Sequence, residues 1–220
     1  MDLLTVVNSV TPSFSEIRNE IQELRKNNPA KSNHEIAELY GNSMRTKYTS
    51  VGVASALPSI FPGVGTLVQG LVEAGTISAD LLLMLRWMGT ICYGTAYSFN
   101  KDIETEFSQE FITVLGLESG AIEKVVSKNA AKFFGGKIAG DQFKRHFPKQ
   151  ILGRINKIVG MRLLTKYGTK RGGIALGKFI PFGVGAVIAG TVNYRTMNSF
   201  KNKAIDYFSS DDNSEFVLIE

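Results

Sequence analysis

Cys92, His34 and His146 are the residues of this 220-residue chain whose types could supply a nucleophile, a general base or a soft metal ligand. A thiol attacks as its thiolate, which needs a histidine or another cation beside it. Cys92 stands in an apolar run, the setting of an inert buried thiol rather than an activated one. A single cysteine makes no internal disulfide and no Cys-rich metal site, and it suits a reducing compartment. Each histidine lies in a charged stretch without a second His, a Cys or a carboxylate pair at ligand spacing, so no metal is expected. Glu104, Glu106, Glu110 and Glu118 could be drawn as a general acid and base, but their spacing reads as the solvated face of a helix. No Gly-x-Ser-x-Gly nucleophile elbow occurs. The chain is therefore not expected to be an enzyme, and no cofactor is implied.

Two charges interrupt an apolar stretch. Asp80 and Arg86 flank Leu81 to Leu85, and six residues along a helix put them on different faces, so each is expected to find its own structural ion pair. The other pattern is an internal echo. Phe61-Pro62-Gly63-Val64-Gly65 and Pro181-Phe182-Gly183-Val184-Gly185 share a Gly-Val-Gly tripeptide, followed after four intervening residues by Gly70 and Gly190. A proline-initiated helix with small residues at Gly65, Gly70, Gly185, Ala186 and Gly190 allows close backbone approach, so these positions are read as helix packing. A phosphate-binding loop is the competing reading. It is disfavoured because no Gly-Lys-Ser or Gly-Lys-Thr follows, no strand precedes and no acidic residue stands at ribose distance.

The formal charge of +5 is unevenly spread. Residues 1–123 hold 8 basic and 14 acidic side chains, residues 124–203 hold 17 and 1, and residues 204–220 hold 0 and 5, giving −6, +16 and −5. The basic stretch costs self-repulsion unless carboxylates of the same chain or an anionic partner lie near it. Its aromatic residues Phe133, Phe134, Phe143, Phe147 and Tyr167 fit either an interfacial surface or a nucleic-acid surface. The apolar segments favour the membrane, since a nucleic-acid binder has no use for them. Lys137, Lys144, Arg145, Lys149, Arg154, Lys157, Lys166, Lys170 and Arg171 are then the candidate anionic-lipid contacts, and Phe61, Pro62, Gly63, Phe179, Pro181 and Phe182 the candidate insertion residues.

The elements that must position these groups are helices. Phe14, Ile17, Ile21 and Leu24 mark a helix over 13–26 with a Ser13/Glu16 capping box, and a second starts near Ser32 with Glu35 as its box partner. Tyr48 to Val72 is free of charge for 25 residues, long enough to span a bilayer as one helix. Pro58, Pro62, Gly63 and Gly65 divide it, which predicts a re-entrant or interfacial hairpin instead. A buried helix follows over 76–99, then a turn at Asn100 to Asp102 and an amphipathic helix through Ile103, Phe107, Phe111, Val114 and Leu115. Residues 119–167 keep helical spacing in about three pieces, and the charge-free 179–194 is too short to cross a bilayer unaided. Glu215 to Glu220 is the one candidate strand, after a Ser- and Asp-rich stretch that reads as solvated tail.

The expected fold is all-α: a single multi-helix bundle with two Gly/Pro-punctuated apolar helical hairpins. Amphipathic helices occupy 1–47, the helical domain 48–208 and an acidic flexible tail 209–220. Met1 to Val10 carries Asp2 and no basic residue, so no signal peptide is expected.

Ala56 to Phe99, with its Leu-Pro and Pro-Gly-Val-Gly turns, Asp80 leading a Leu-rich helix and Tyr93-Gly94 near its end, resembles the EcsC family of bacterial proteins. Lys178 to Tyr194, followed by Ala204 and Tyr207-Phe208, looks like that family's C-terminal signature. The resemblance covers about residues 50–208 and implies a helical, peripherally membrane-associated protein with no catalytic residue to carry over. Read together, the residues and the resemblance lead to a non-catalytic protein on the cytoplasmic side of the membrane. It would bind anionic lipid through a basic face and two apolar Pro-Gly turns, scaffolding or regulating a membrane process. A soluble carrier of a lipid or other apolar ligand, and a pore-forming protein, are the alternatives; a protein partner fits, and nucleic acid fits poorly.

Overall fold

The computed structural model describes residues 11–50, 79–120, 122–125, 138–139, 184–210 and 215–218. The fold is all-α, with five helices packed around one core. They are α1 (Phe14–Asn27), α2 (Asn33–Ser50), α3 (Ala79–Ser98), α4 (Phe107–Ser119) and α5 (Val184–Phe208).

Their ends follow from local chemistry. At the start of α2, Ser32 and Glu35 form the expected reciprocal box: the Ser32 N–H donates to Glu35 Oε2 at 2.9 Å and the Glu35 N–H donates to Ser32 Oγ at 3.3 Å. The Ser32 backbone N–H first, and then the Ser32 hydroxyl, both donating to the carboxylate, lower the Glu35 pKa. The matching box at α1 does not form. Ser13 makes no side-chain cap bond, and its carbonyl alone takes the Ile17 N–H at 3.1 Å. α1 stops at Asn28, whose Nδ2 donates to the Leu24 carbonyl at 2.9 Å ahead of Pro29. α3 ends with Asn100 at φ 62°, a left-handed position that asparagine tolerates, and the Lys101 N–H closes onto the Ala96 carbonyl at 3.0 Å.

α3 is the central helix. It buries Leu83, Met84, Leu85, Met88, Ile91, Cys92, Tyr93 and Ala96, as its apolar run predicts. Gly94 lets α2 approach: a Cβ there would lie 2.1 Å from Tyr40 Cε1. α1 lays Ile17 and Ile21 on the same core, with Phe14 4.5 Å from the Tyr93 ring. α4 is buried more completely than an amphipathic helix, with Phe107, Phe111, Ile112, Val114, Leu115 and Leu117 all inside, and it begins at Phe107 while Ile103 packs from the preceding turn. α5 contributes a stripe at three- and four-residue spacing, Met197, Phe200, Ala204, Ile205 and Phe208. The N-terminal helices α1 and α2 thus share one core with α3, α4 and α5.

Beside the bundle lies a minor antiparallel sheet of three short strands, β1 (Ile122–Val125), β2 (Ile138–Ala139) and β3 (Glu215–Leu218), in the order β1-β3-β2. β3, the strand candidate read from sequence, is central and lies within the stretch expected as tail. Phe216 is paired with both Lys124 and Ile138. β1 corrects the expectation of helix after residue 119. Gly120 at φ 69° closes α4 in a left-handed cap, and the chain emerges extended to pair with β3.

Candidate functional site

Among the described residues, those singled out for chemistry do not converge. Cys92 is fully buried, and burial, helped by the negative charge of Glu110, pushes its pKa up, so its thiolate is disfavoured. The His34 ring lies edge-on to Phe99 at 6.5 Å. His146 falls outside the described residues. Among the described residues there is no group of three or more His, Cys, Asp or Glu that could hold a metal ion.

The acidic cluster is divided among different tasks. Glu104 accepts a hydrogen bond from Arg18, Glu106 accepts one from the Thr105 hydroxyl as it caps α4, and Glu110 is buried in α4. A solvated face therefore describes Glu104 but not Glu110. Arg86 Nη1 donates to the Thr11 carbonyl at 3.1 Å. Burial lowers its pKa and the charge of Glu16 opposes that, so Arg86 is tied to the start of α1. Asp80 occupies the first turn of α3; its side chain lies outside the described ones.

The insertion residues Phe61, Pro62, Gly63, Phe179, Pro181 and Phe182, the packing glycines Gly65 and Gly70, and the lipid-contact set from Lys137 to Arg171 all lie outside the described residues. Gly185, Ala186 and Gly190 lie in α5, so the second Gly-Val-Gly copy opens the same continuous helix whose later half docks in the core.

Two polar clusters bind the helices, and the sequence reading named neither. In the first, Arg18 Nη1 of α1 donates to Glu104 and, at 2.9 Å, to the Tyr93 hydroxyl, which in turn donates to Asp102 Oδ1 at 2.9 Å. The hydrogen bond to Glu104, and then that to Tyr93, raise the Arg18 pKa. Desolvation first, then the bond to Asp102, push Tyr93 up to about 12. In the second, Lys201 Nζ of α5 donates to Glu38 Oε2 and, at 3.2 Å, to Asn42 Oδ1 of α2. One turn further, Arg45 Nη1 donates to Asn198 Oδ1 while its guanidinium lies 4.2 Å over the Tyr194 ring, a cation–π contact. A signal for this cluster exists in the sequence. Lys201 interrupts the α5 apolar stripe at a core position, and Glu38, Asn42 and Arg45 recur at helical spacing on α2.

These groups hold helices together; they present no nucleophile beside a base. No helix among the described residues is long and apolar enough to cross a membrane. No family model matches the chain, and no curated protein or solved structure matches it.

Proposed function

We propose that this protein is a non-catalytic, EcsC-like helical protein that docks on anionic membrane surfaces from the cytoplasmic side and scaffolds or regulates a process there. The carrying observation is the charge partition: +16 over residues 124–203, beside two charge-free, Gly- and Pro-punctuated segments at 48–72 and 179–194. The bundle adds support. Among the described residues most carboxylates seen in ion pairs hold cations of their own acidic half, Asp102 and Glu104 with Arg18, Glu20 with Lys47 and Glu35 with Lys31, while Glu38 reaches one cation of the basic stretch, Lys201. Their use there leaves the basic stretch better matched to an external anion, and each Lys or Arg near an anionic leaflet contributes about 1 kcal/mol.

Vesicle flotation tests the reading. Binding is expected to vesicles containing phosphatidylglycerol at low salt, to weaken as salt shortens the Debye length from about 30 Å at 0.01 M to about 3 Å at 1 M, and to be absent on pure phosphatidylcholine. No flotation with anionic vesicles at low salt sinks it.

A further inference from the structure

The directions of the helices carry information that the sequence alone does not. Along α2, Glu38 meets Lys201 and Arg45 meets Asn198 and Tyr194, so α2 and α5 run antiparallel. Along the same helix, His34 meets Phe99 and Tyr40 meets Gly94, so α2 and α3 also run antiparallel. The last turn of α2, the first turn of α3 and the apolar half of α5 consequently lie at one end of the bundle. Both charge-free segments join the core there: 48–72 starts in the last turn of α2, and 179–194 ends at Tyr194 in α5.

Tyr194, 44% exposed, and Arg195, exposed, are the first α5 residues whose side chains are described, and they stand on the outer side of the helix while Thr196 and Met197 turn into the core. Tyr194 and Leu39 are the exposed large apolar residues among those described. Leu39 stands beside Glu38, about 10 Å along the bundle from Tyr194 by helical rise. An aromatic ring with a polar tip, backed by the Arg45 guanidinium and followed by Arg195, is the side-chain set that settles at a lipid headgroup layer: ring toward the acyl boundary, cations toward phosphate.

We infer that this end of the bundle is the lipid-facing pole, with Tyr194 at the interface and Arg45 and Arg195 as its headgroup cations. The inference rests on the membrane reading above and says which end docks, and how deep. The partner is an anionic bilayer surface: Arg45 backs the exposed ring and the exposed Arg195 follows it in the chain, at the end where two uncharged segments enter, and a folded protein partner supplies no continuous phosphate layer for both cations.

The test uses the full chain with Trp87, its one tryptophan, replaced by Phe, and a single reporter at Tyr194→Trp or at Leu39→Trp. With phosphatidylglycerol vesicles carrying brominated acyl chains, the reporter at 194 is expected to be quenched and blue-shifted, and the one at 39 to remain as in solution. Arg195→Gln in the otherwise unchanged chain, a substitution at an exposed site, is expected to weaken vesicle binding about fivefold and gives a readout should the Trp87→Phe chain not fold. Wild-type binding with equal quenching at both positions, or with Arg195→Gln unaffected, overturns the pole and leaves the membrane reading standing. Failure of the wild type to bind at low salt overturns both.

Discussion

The α2–α5 seam and the α1–α3 seam are each closed by a cation on a carboxylate, but they differ in water. At α2–α5 the Lys201 side chain is 5% exposed and its partner Glu38 34%. At α1–α3, where the carboxylate comes from the turn that follows α3, Arg18 is 29% exposed and Glu104 48%. In the drier seam an ammonium has lost its hydration and depends on Glu38 and Asn42 for replacement, so removing a partner costs far more than the pair is worth. In the wetter seam water substitutes for whatever is removed. The same ion-pair chemistry therefore fixes the position of α5 in one place and merely decorates the α1 contact in the other.

The sharpest way to break that contrast is Glu38→Ala, which strands the Lys201 ammonium. A loss of about 3 kcal/mol of unfolding free energy is expected in denaturant titrations. Adding Lys201→Met is expected to restore most of it, since an apolar stem of similar length fills the same stripe position without a charge. A double variant as unstable as the single one would mean that Glu38 acts by something other than satisfying Lys201.

Gly41 probes the packing of the same seam. A Cβ there would lie 2.5 Å from Lys201 Cγ, and the lysine stem cannot swing aside while its head is held by Glu38 and Asn42. Overpacking of about 2 kcal/mol, offset by about 1 kcal/mol of helix propensity, predicts a net loss of about 1 kcal/mol for Gly41→Ala. In a Lys201→Ala background the obstruction is gone and the sign reverses, so alanine stabilises by about 1 kcal/mol. The same loss in both backgrounds would place the strain elsewhere.

How much of this was legible in the sequence depended on the range of the interaction. The helices came from periodicity, and the Ser32/Glu35 cap from a four-residue motif, because both are settled within a turn or two of the chain. Ser13/Glu16 has the same motif without the bond, and Glu16 contributes charge to Arg86 instead, a partner set by the docking of α1 on α3. β1 escaped because apolar spacing at Ile122 and Val125 suits either helix or strand, and the deciding partner, β3, lies about 90 residues later in the chain. Lys201 could have been suspected from its place in an apolar stripe, but only the antiparallel pairing of α2 and α5 shows that Glu38 answers it.

The wetter seam gives the smaller effects. Arg18→Met is expected to leave the unfolding midpoint close to that of the wild type, because Glu104 and Asp102 are half exposed and hydrate once the guanidinium is gone.

Smallest and most specific is the pH response of Tyr93. Its hydroxyl is raised from 10 to about 12 in the folded chain, so between those values the unfolded chain has lost a proton that the folded chain keeps. The folded state binds more protons there, and stability falls as pH rises through that window, having been fully present below pH 10. Tyr40, raised first by burial and then by Glu20, and Cys92, raised by burial, push in the same direction, so these groups too make the wild type lose stability in alkali. Tyr93→Phe removes the share of Tyr93. Denaturant midpoints measured across the alkaline range are expected to decline less steeply in Tyr93→Phe than in the wild type, with Tyr40 and Cys92 still contributing to the slope that remains. Identical slopes would show that burial and the bond to Asp102 do not hold the phenol proton against the opposing Arg18, and that the two seams differ less in their chemistry than their geometry implies.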